Sequence, residues 1–271
     1  MDANLLENSI ADVLTEALVG VDETVFVVNP APETVEELVE VLSPDGGPTV
    51  RLLADGAVLK DVMDDFIVGS NAADLIEAGR LELRTYQNGD NTLLVTADAV
   101  AALVTAGGRA AAIPTEDDEF VDGAYDEYAG AWESAEPYNL RTPAISRVRE
   151  TLRESLGPEA ADDFDAMLAT LETARGDGEG LDEVTISLLV AARNRELLYD
   201  VSKWGEDIGI ASKATFSRTK TRLEEVDLID TEKVPIDVGR PRLRLLLHDE
   251  ELQELDIDEL VAAAQSSLAA A

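Results

Sequence analysis

The strongest constraint on the fold is a switch of hydrophobic period within one stretch near the C-terminal end. Residues 213–226, KATFSRTKTRLEEV, place Phe216, Thr219, Leu223 and Val226 along one side of a helical wheel. Farther on, Arg240, Arg242 and Arg244 alternate with Leu243 and Leu245, so a strand over 242–247 would show arginines on one face and leucines on the other. Upstream, Val184, Ile186, Leu188, Leu189, Ala192 and Leu197 predict a mostly buried helix over 182–197 with Asp182 as its cap. A short helix is expected at 201–208. Gly209 suits a turn that needs positive φ, and Ser212 suits the N-cap of the next helix. With a second strand at 229–234 and PIDVGRP as the hairpin tip, residues 181–248 spell helix, glycine turn, helix and wing.

Charge singles out the same segment. Opposite Phe216 the helix carries Ser217, Arg218 and Thr221; Lys213, Lys220 and Arg222 lie toward the flanks, and Thr215 follows Ser212 in the first turn. No acid occurs between Ser212 and Leu223, whereas Glu224 and Glu225 follow at once and confine contact with an anion to the N-terminal turns. Arginine can bind guanine bidentately, and hydroxyls pair with donors or acceptors. Ser212, Lys213, Thr215, Ser217, Arg218, Lys220, Thr221 and Arg222, with Arg240, Arg242 and Arg244 of the wing, are therefore candidate DNA contacts. Residues 181–250 hold 11 basic and 14 acidic side chains, net −3, while the remainder holds 10 and 43, net −33. Within that span 212–223 is +4 and 239–248 is +3, without an acid in either. The two runs are expected to form one cationic face on an otherwise anionic molecule.

The whole chain of 271 residues carries 57 acids against 21 bases, net −36, yet 45 % of it is apolar, which is enough to fold. Arginine outnumbers lysine 16 to 5 and aromatics are only 4 %, a profile that suits a cytoplasm holding molar salt. There the Debye length is about 3 Å, and surface carboxylates hardly repel one another. Cysteine is absent, which excludes disulfides and thiolate chemistry, and the single His248 excludes a multi-histidine metal site. No apolar run has the length of a membrane span and the N-terminus lacks a basic leader, so a cytoplasmic protein is expected.

The first part of the chain alternates strand-like and helical runs. Leu5, Leu6, Ile10, Val13, Leu14, Ala17 and Leu18 predict a first helix. Strands are expected at 24–29, 49–54, 80–86, 92–96 and 109–114, with helices at 33–42, 58–67, 72–78 and 117–133. The fold class is α/β: an N-terminal, mostly parallel α/β domain over 1–173 and a winged helix-turn-helix domain over 181–271, divided at the glycine-rich 174–180 hinge. Helices at 145–156 and 159–171 complete the first domain, and the helix at 258–268 ends the second. A sheet of this kind offers ligand space at its strand ends, here Asn29, Asp55, Gln87, Asn88, Thr96 and Thr115. A P-loop and a GxGxxG are both missing; the glycine pairs at 46–47 and 107–108 read as turns, and Asp64, Asp65, Asp117 and Asp118 as solvated acids. No catalytic residue, metal or cofactor is expected. Arg51, Arg84 and Arg109 could meet a ligand phosphate or a neighbouring carboxylate.

Residues 200–247, notably the run IASKATFSRTKTRLEEVDLI, resemble the winged helix-turn-helix of archaeal and bacterial transcription regulators. Over its full length the chain resembles the haloarchaeal TbsP family of regulators. That resemblance implies a dimeric protein on double-stranded promoter DNA, controlling central carbon metabolism, gluconeogenesis in particular, alongside the regulator TrmB. The ligand space at the strand ends makes a metabolite-sensing or dimerising first domain the natural expectation, with a small metabolite as effector. Asp227 is a departure, because glycine often precedes the Leu-Ile pair, and the turn into the wing is expected to differ there. Dimer contacts are expected in the helices at 145–171 or 258–268. The competing reading is an α/β ligand-binding protein or scaffold whose winged helix serves protein assembly.

Overall fold

Apolar runs buried on both faces build the centre of the first unit. In the computed structural model, which describes residues 5–87, 91–175, 181–235 and 241–270, the chain divides into a unit of residues 1–64 and 68–140 and a second of 65–67 and 141–271. The first unit holds strands β1 (Leu5–Glu7), β2 (Thr24–Val28), β3 (Thr49–Ala54), β4 (Leu81–Thr85), β5 (Leu93–Val95), β6 (Val100–Ala106), β7 (Arg109–Thr115) and β8 (Glu136–Pro137). They form one sheet in the order β1-β7-β6-β5-β2-β3-β4-β8. Its helices are α1 (Ile10–Leu18), α2 (Pro32–Val41), α3 (Gly56–Met63), α4 (Phe66–Glu77) and α5 (Asp118–Ser134).

The expected α/β class holds, with β2, β3 and β4 parallel. The sheet is extended by antiparallel β5, β6, β7, β1 and β8, which makes it mixed. Short connections dictate this: Gly107 and Gly108, at φ +60° and +74°, close a two-residue hairpin between β6 and β7. Alternation along the strands divides the core. Val25, Val27, Leu52 and Leu81 pack with Leu14, Leu38, Leu59 and Leu75 on one side, while Phe26, Val28, Leu53 and Val95 meet Val121 and Trp132 on the other.

Three local expectations differ. The predicted first helix begins only at Ile10, after Ser9 has capped it by accepting from the Asp12 amide at 3.1 Å, and Leu5–Glu7 pair instead with β7. The break between α3 and α4 falls at Asp64 and Asp65, ahead of the predicted helix end at 67. Asp65, expected as a solvated acid, is instead buried: it accepts from the amides of Ile67 and Ala174 and from Thr173 Oγ1, which fixes the chain there.

The second unit contains α6 (Ile145–Leu156), α7 (Pro158–Ala169), α8 (Glu183–Arg193), α9 (Leu198–Ile208), α10 (Lys213–Glu225), β9 (Ile229–Val234), β10 (Arg242–Leu247), α11 (Glu250–Glu254) and α12 (Ile257–Ala269). The division at 140/141 lies ahead of the expected 174–180 hinge, of which 176–180 fall outside the described residues. The reason is packing: Ile145, Val148, Leu152, Phe164 and Met167 share one core with Leu188, Leu189, Val201, Trp204 and Phe216. The apolar stripes proposed for dimerisation are spent in that same core, since Leu156, Ala160, Leu260, Val261, Ala264 and Leu268 are buried within it.

Candidate nucleic-acid interface

Helix α10 is placed by its caps and by one close approach. Gly209 ends α9 at φ +90°, a conformation in which an L side chain would be strained, and Ser212 Oγ accepts from the Thr215 amide at 3.2 Å to start α10. Phe216 and Leu223 are fully buried. Phe216 lies so near α9 that a Cβ on Gly205 would stand 2.4 Å from its ring, so only glycine lets the two helices meet as they do. The sequence held the signal, a glycine inside a helical pattern one turn before Gly209, but the expectations above passed over it.

The opposite side of α10 faces solvent. Ser212, Lys213, Ala214, Ser217, Arg218, Thr221 and Arg222 are exposed, as the wheel predicts, and Ala214 is an apolar member that the sequence reading left out. Thr215 and Lys220 are only half-exposed. Arg218 reaches Thr215 Oγ1 at 3.4 Å, and among the described residues neither Arg218 nor Arg222 has a carboxylate partner.

The other cations differ from the expected bare face. Lys213 pairs with Glu206 at 2.6 Å and Lys220 with Glu224 at 2.6 Å; on the wing, Arg242 pairs with Asp200 at 3.5 Å and Arg244 with Glu232 at 3.0 Å. Arg242 also lies 4.3 Å over the Tyr199 ring. Acid-free sequence therefore does not make acid-free surface, because α9, β9 and the last turn of α10 bring carboxylates to these cations. Hydrogen bonds from Lys213 hold the Glu206 carboxyl below its ordinary range, and the same pairing raises Lys213.

The wing pairs Arg242 with Val234 and Arg244 with Glu232 across an antiparallel ladder; of the two leucines expected on its inner face Leu245 is buried and Leu243 only half-buried, and Leu247 is buried in addition. Leu197, between α8 and α9, bridges to Arg244 and adds a third backbone to this ribbon. Gly239 and Arg240 lie outside the described residues. Asp227 adopts φ +56°, so the left-handed turn that glycine would supply is kept by an aspartate, a residue type that tolerates it.

The strand ends of the first unit are occupied by turns. Asp55 caps α3 by accepting from the Ala57 amide at 2.7 Å, Thr96 exchanges hydrogen bonds with Ala99, and Thr92 Oγ1 donates to the Asn29 carbonyl at 2.9 Å. Asn88 lies outside the described residues. A cavity beside Asn29 is lined by Ile10, Ala31, Glu33, Thr34, Thr92 and Thr105, with no cation in its lining. Arg51 pairs with Glu82 at 3.1 Å, and Arg84 donates to the carbonyls of Trp132 and Ala135, so neither is presented to a ligand phosphate.

Two family models match the chain: "Transcriptional regulator TbsP-like, N-terminal" over residues 2–143, and "Transcriptional regulator TbsP-like, C-terminal HTH domain" over 144–265. No curated protein matches. One similar solved structure is described as "Structure of TrmBL2, an archaeal chromatin protein, shows a novel mode of DNA binding". It is 15 % identical with a TM-score of 0.37, and the match covers 50 % of this chain and 54 % of that one, so the chain spans about half of that protein's length.

Proposed function

Because the chain belongs to the TbsP-like family of transcriptional regulators, we propose that it binds double-stranded promoter DNA sequence-specifically, with α10 in the major groove and the wing on the adjoining backbone. The observation that carries this reading is the exposed strip Ser217, Arg218, Thr221 and Arg222, opposite buried Phe216 and Leu223, on a chain of net charge −36. Arg218 takes a base edge, while Ser212, Thr215, Ser217, Thr221 and Arg222 contact bases and phosphates. Lys213, Lys220, Arg242 and Arg244 exchange a carboxylate for a phosphate on binding, and Arg240 is a further proposed DNA contact.

The acidity and the excess of arginine over lysine support a halophilic archaeal cytoplasm as the setting; no helix among the described residues is long and apolar enough to cross a membrane. In molar salt, counterion release loses its driving force, so base-edge, shape and water-mediated contacts must supply the affinity. The family resemblance supports a homodimer controlling central carbon metabolism, gluconeogenesis in particular, jointly with TrmB. The first unit would then sense a small metabolite or join the copies. Capture of genomic fragments in molar KCl, with and without glucose in the growth medium, tests this reading. Enrichment of promoters of carbon-metabolism genes is expected; retention of no fragment would favour a winged helix that serves protein assembly.

A further inference from the structure

One side of the first-unit sheet is covered only in part. Register places Phe26, Val95 and Val100 in one cross-strand row, Val28, Leu93, Ala102 and Ile113 in the next, and Val104, Ala111 and Leu6 in a third. Two-residue alternation puts all three rows on the side where α5 packs. That helix covers Phe26, Val28, Val95 and Val100. Farther out along β6, β7 and β1 the side chains stay open: Leu6 is 54 % exposed, Val104 45 % and Ile113 50 %, and Phe120 in the first turn of α5 is 56 %.

The sequence marks the same place. Residues 99–115 form the longest acid-free run in the chain, seventeen residues with Arg109 as the only charge, although 57 of 271 residues are acids. The second longest, 208–223, contains α10. Acids are thus withheld over the longest stretches at the strip proposed for nucleic acid and at this hairpin. Contiguous exposed apolar surface of this kind marks an interface. The hairpin offers no acid to a cationic partner, and its one cation, Arg109, is turned to the Leu6 carbonyl at 3.4 Å. Its partner must bring a neutral apolar surface of its own.

We propose that two copies of this chain associate through the outer face of β1, β7 and β6 about a two-fold axis. An apolar face is self-complementary across such an axis, whereas a charged one is not. The acid-free run 99–115 also keeps carboxylates of that hairpin out of the contact between two molecules of net charge −36. The inference rests on the homodimer of the proposed function and adds the face that joins its copies; a two-fold regulator sets two recognition helices on two half-sites.

Light scattering of the full chain in molar KCl tests it. The wild type should show twice its 29.1 kDa mass, and Val104→Asp with Ile113→Asp should return to the single mass with unchanged circular dichroism. Should that variant fail to fold, Ile113→Cys provides a second route, because the chain has no other cysteine. A bismaleimide should crosslink its copies and leave Val19→Cys, at a more exposed position outside the sheet, uncrosslinked. A single-mass wild type, a folded double variant that stays dimeric, or equal crosslinking at both sites would overturn the proposal. None of these measurements involves DNA, so failed promoter binding would remove the DNA reading and leave the dimer standing.

Discussion

The arginines of the first unit and those of α10 have the same chemistry and opposite surroundings. Arg84 donates to the carbonyls of Trp132 and Ala135 and lies 4.6 Å over the Trp132 ring; Arg51 lies 5.3 Å from the same ring and pairs with Glu82. Arg80 donates to the Gly47 carbonyl at 2.7 Å. Arg218 and Arg222 stand in solvent without a carboxylate partner among the described residues, on a helix whose inner side is locked by Phe216. Other exposed cations, Arg147 and Arg195 among them, also lack a carboxylate partner among the described residues, so what marks Arg218 and Arg222 is their place together on the outer side of one buried-faced helix. The difference separates arginines that hold a fold together from arginines held out for a ligand, and it can be broken by exchanging the two losses.

The largest effect should come from the residue that supports the strip rather than from the strip. Phe216→Ala empties a fully buried site between α9 and α10 and should cost about 3–5 kcal/mol by denaturant unfolding, with promoter binding lost alongside. A variant that keeps its DNA affinity would show that α10 need not be held by this packing. Arg84→Ala comes next, at about 2–3 kcal/mol, because two carbonyls lose a charged donor and Trp132 loses its cation. Its promoter affinity, measured on the folded fraction, should stay at the wild-type value.

Arg218→Ala should do the reverse. Its stability should remain within about 0.5 kcal/mol of wild type, as for other exposed positions, while fluorescence anisotropy in molar KCl should show a loss of about 10- to 100-fold on promoter DNA. Unchanged affinity in that buffer would remove α10 from the interface and end the contrast with Arg84.

Much of this was legible because the signals are local. The Ser212 cap, the Gly209 turn, the buried side of α10 and the strands β2 to β4 each depend on spacing within a few residues, and each is where the pattern puts it. What escaped depends on neighbours distant in sequence. Leu5–Glu7 is too short to show alternation and becomes a strand only because β7 offers an edge; VAALVTA is rich in alanine, a weak strand former, and becomes β6 through its hairpin. The candidate site divides in the same way. Helical spacing identified its exposed side chains, but Glu206 on α9, Glu232 on β9 and Asp200 reach their cations through tertiary structure, which no census along the chain can see.

Those acquired pairs predict the smallest effect, and it distinguishes a cation held in reserve from one consumed by structure. Glu206 is held ionised by two hydrogen bonds from Lys213, through Nζ at 2.6 Å and the backbone amide at 3.4 Å. Because its folded pKa is lowered, what the pair adds to stability is present above the unfolded carboxylate pKa and is lost as pH falls through the folded value. Both side chains are solvent-exposed, so that contribution is small. Glu206→Gln keeps the shape and removes the charge, leaving Lys213 to attract phosphate. Affinity for promoter DNA should rise roughly two- to threefold in dilute salt and return to the wild-type value in molar KCl, where the Debye length is about 3 Å. Anisotropy at the two salt concentrations would show it. No gain in dilute salt would mean that Lys213 stays off the DNA, and would narrow the cationic contacts of α10 toward Arg218 and Arg222.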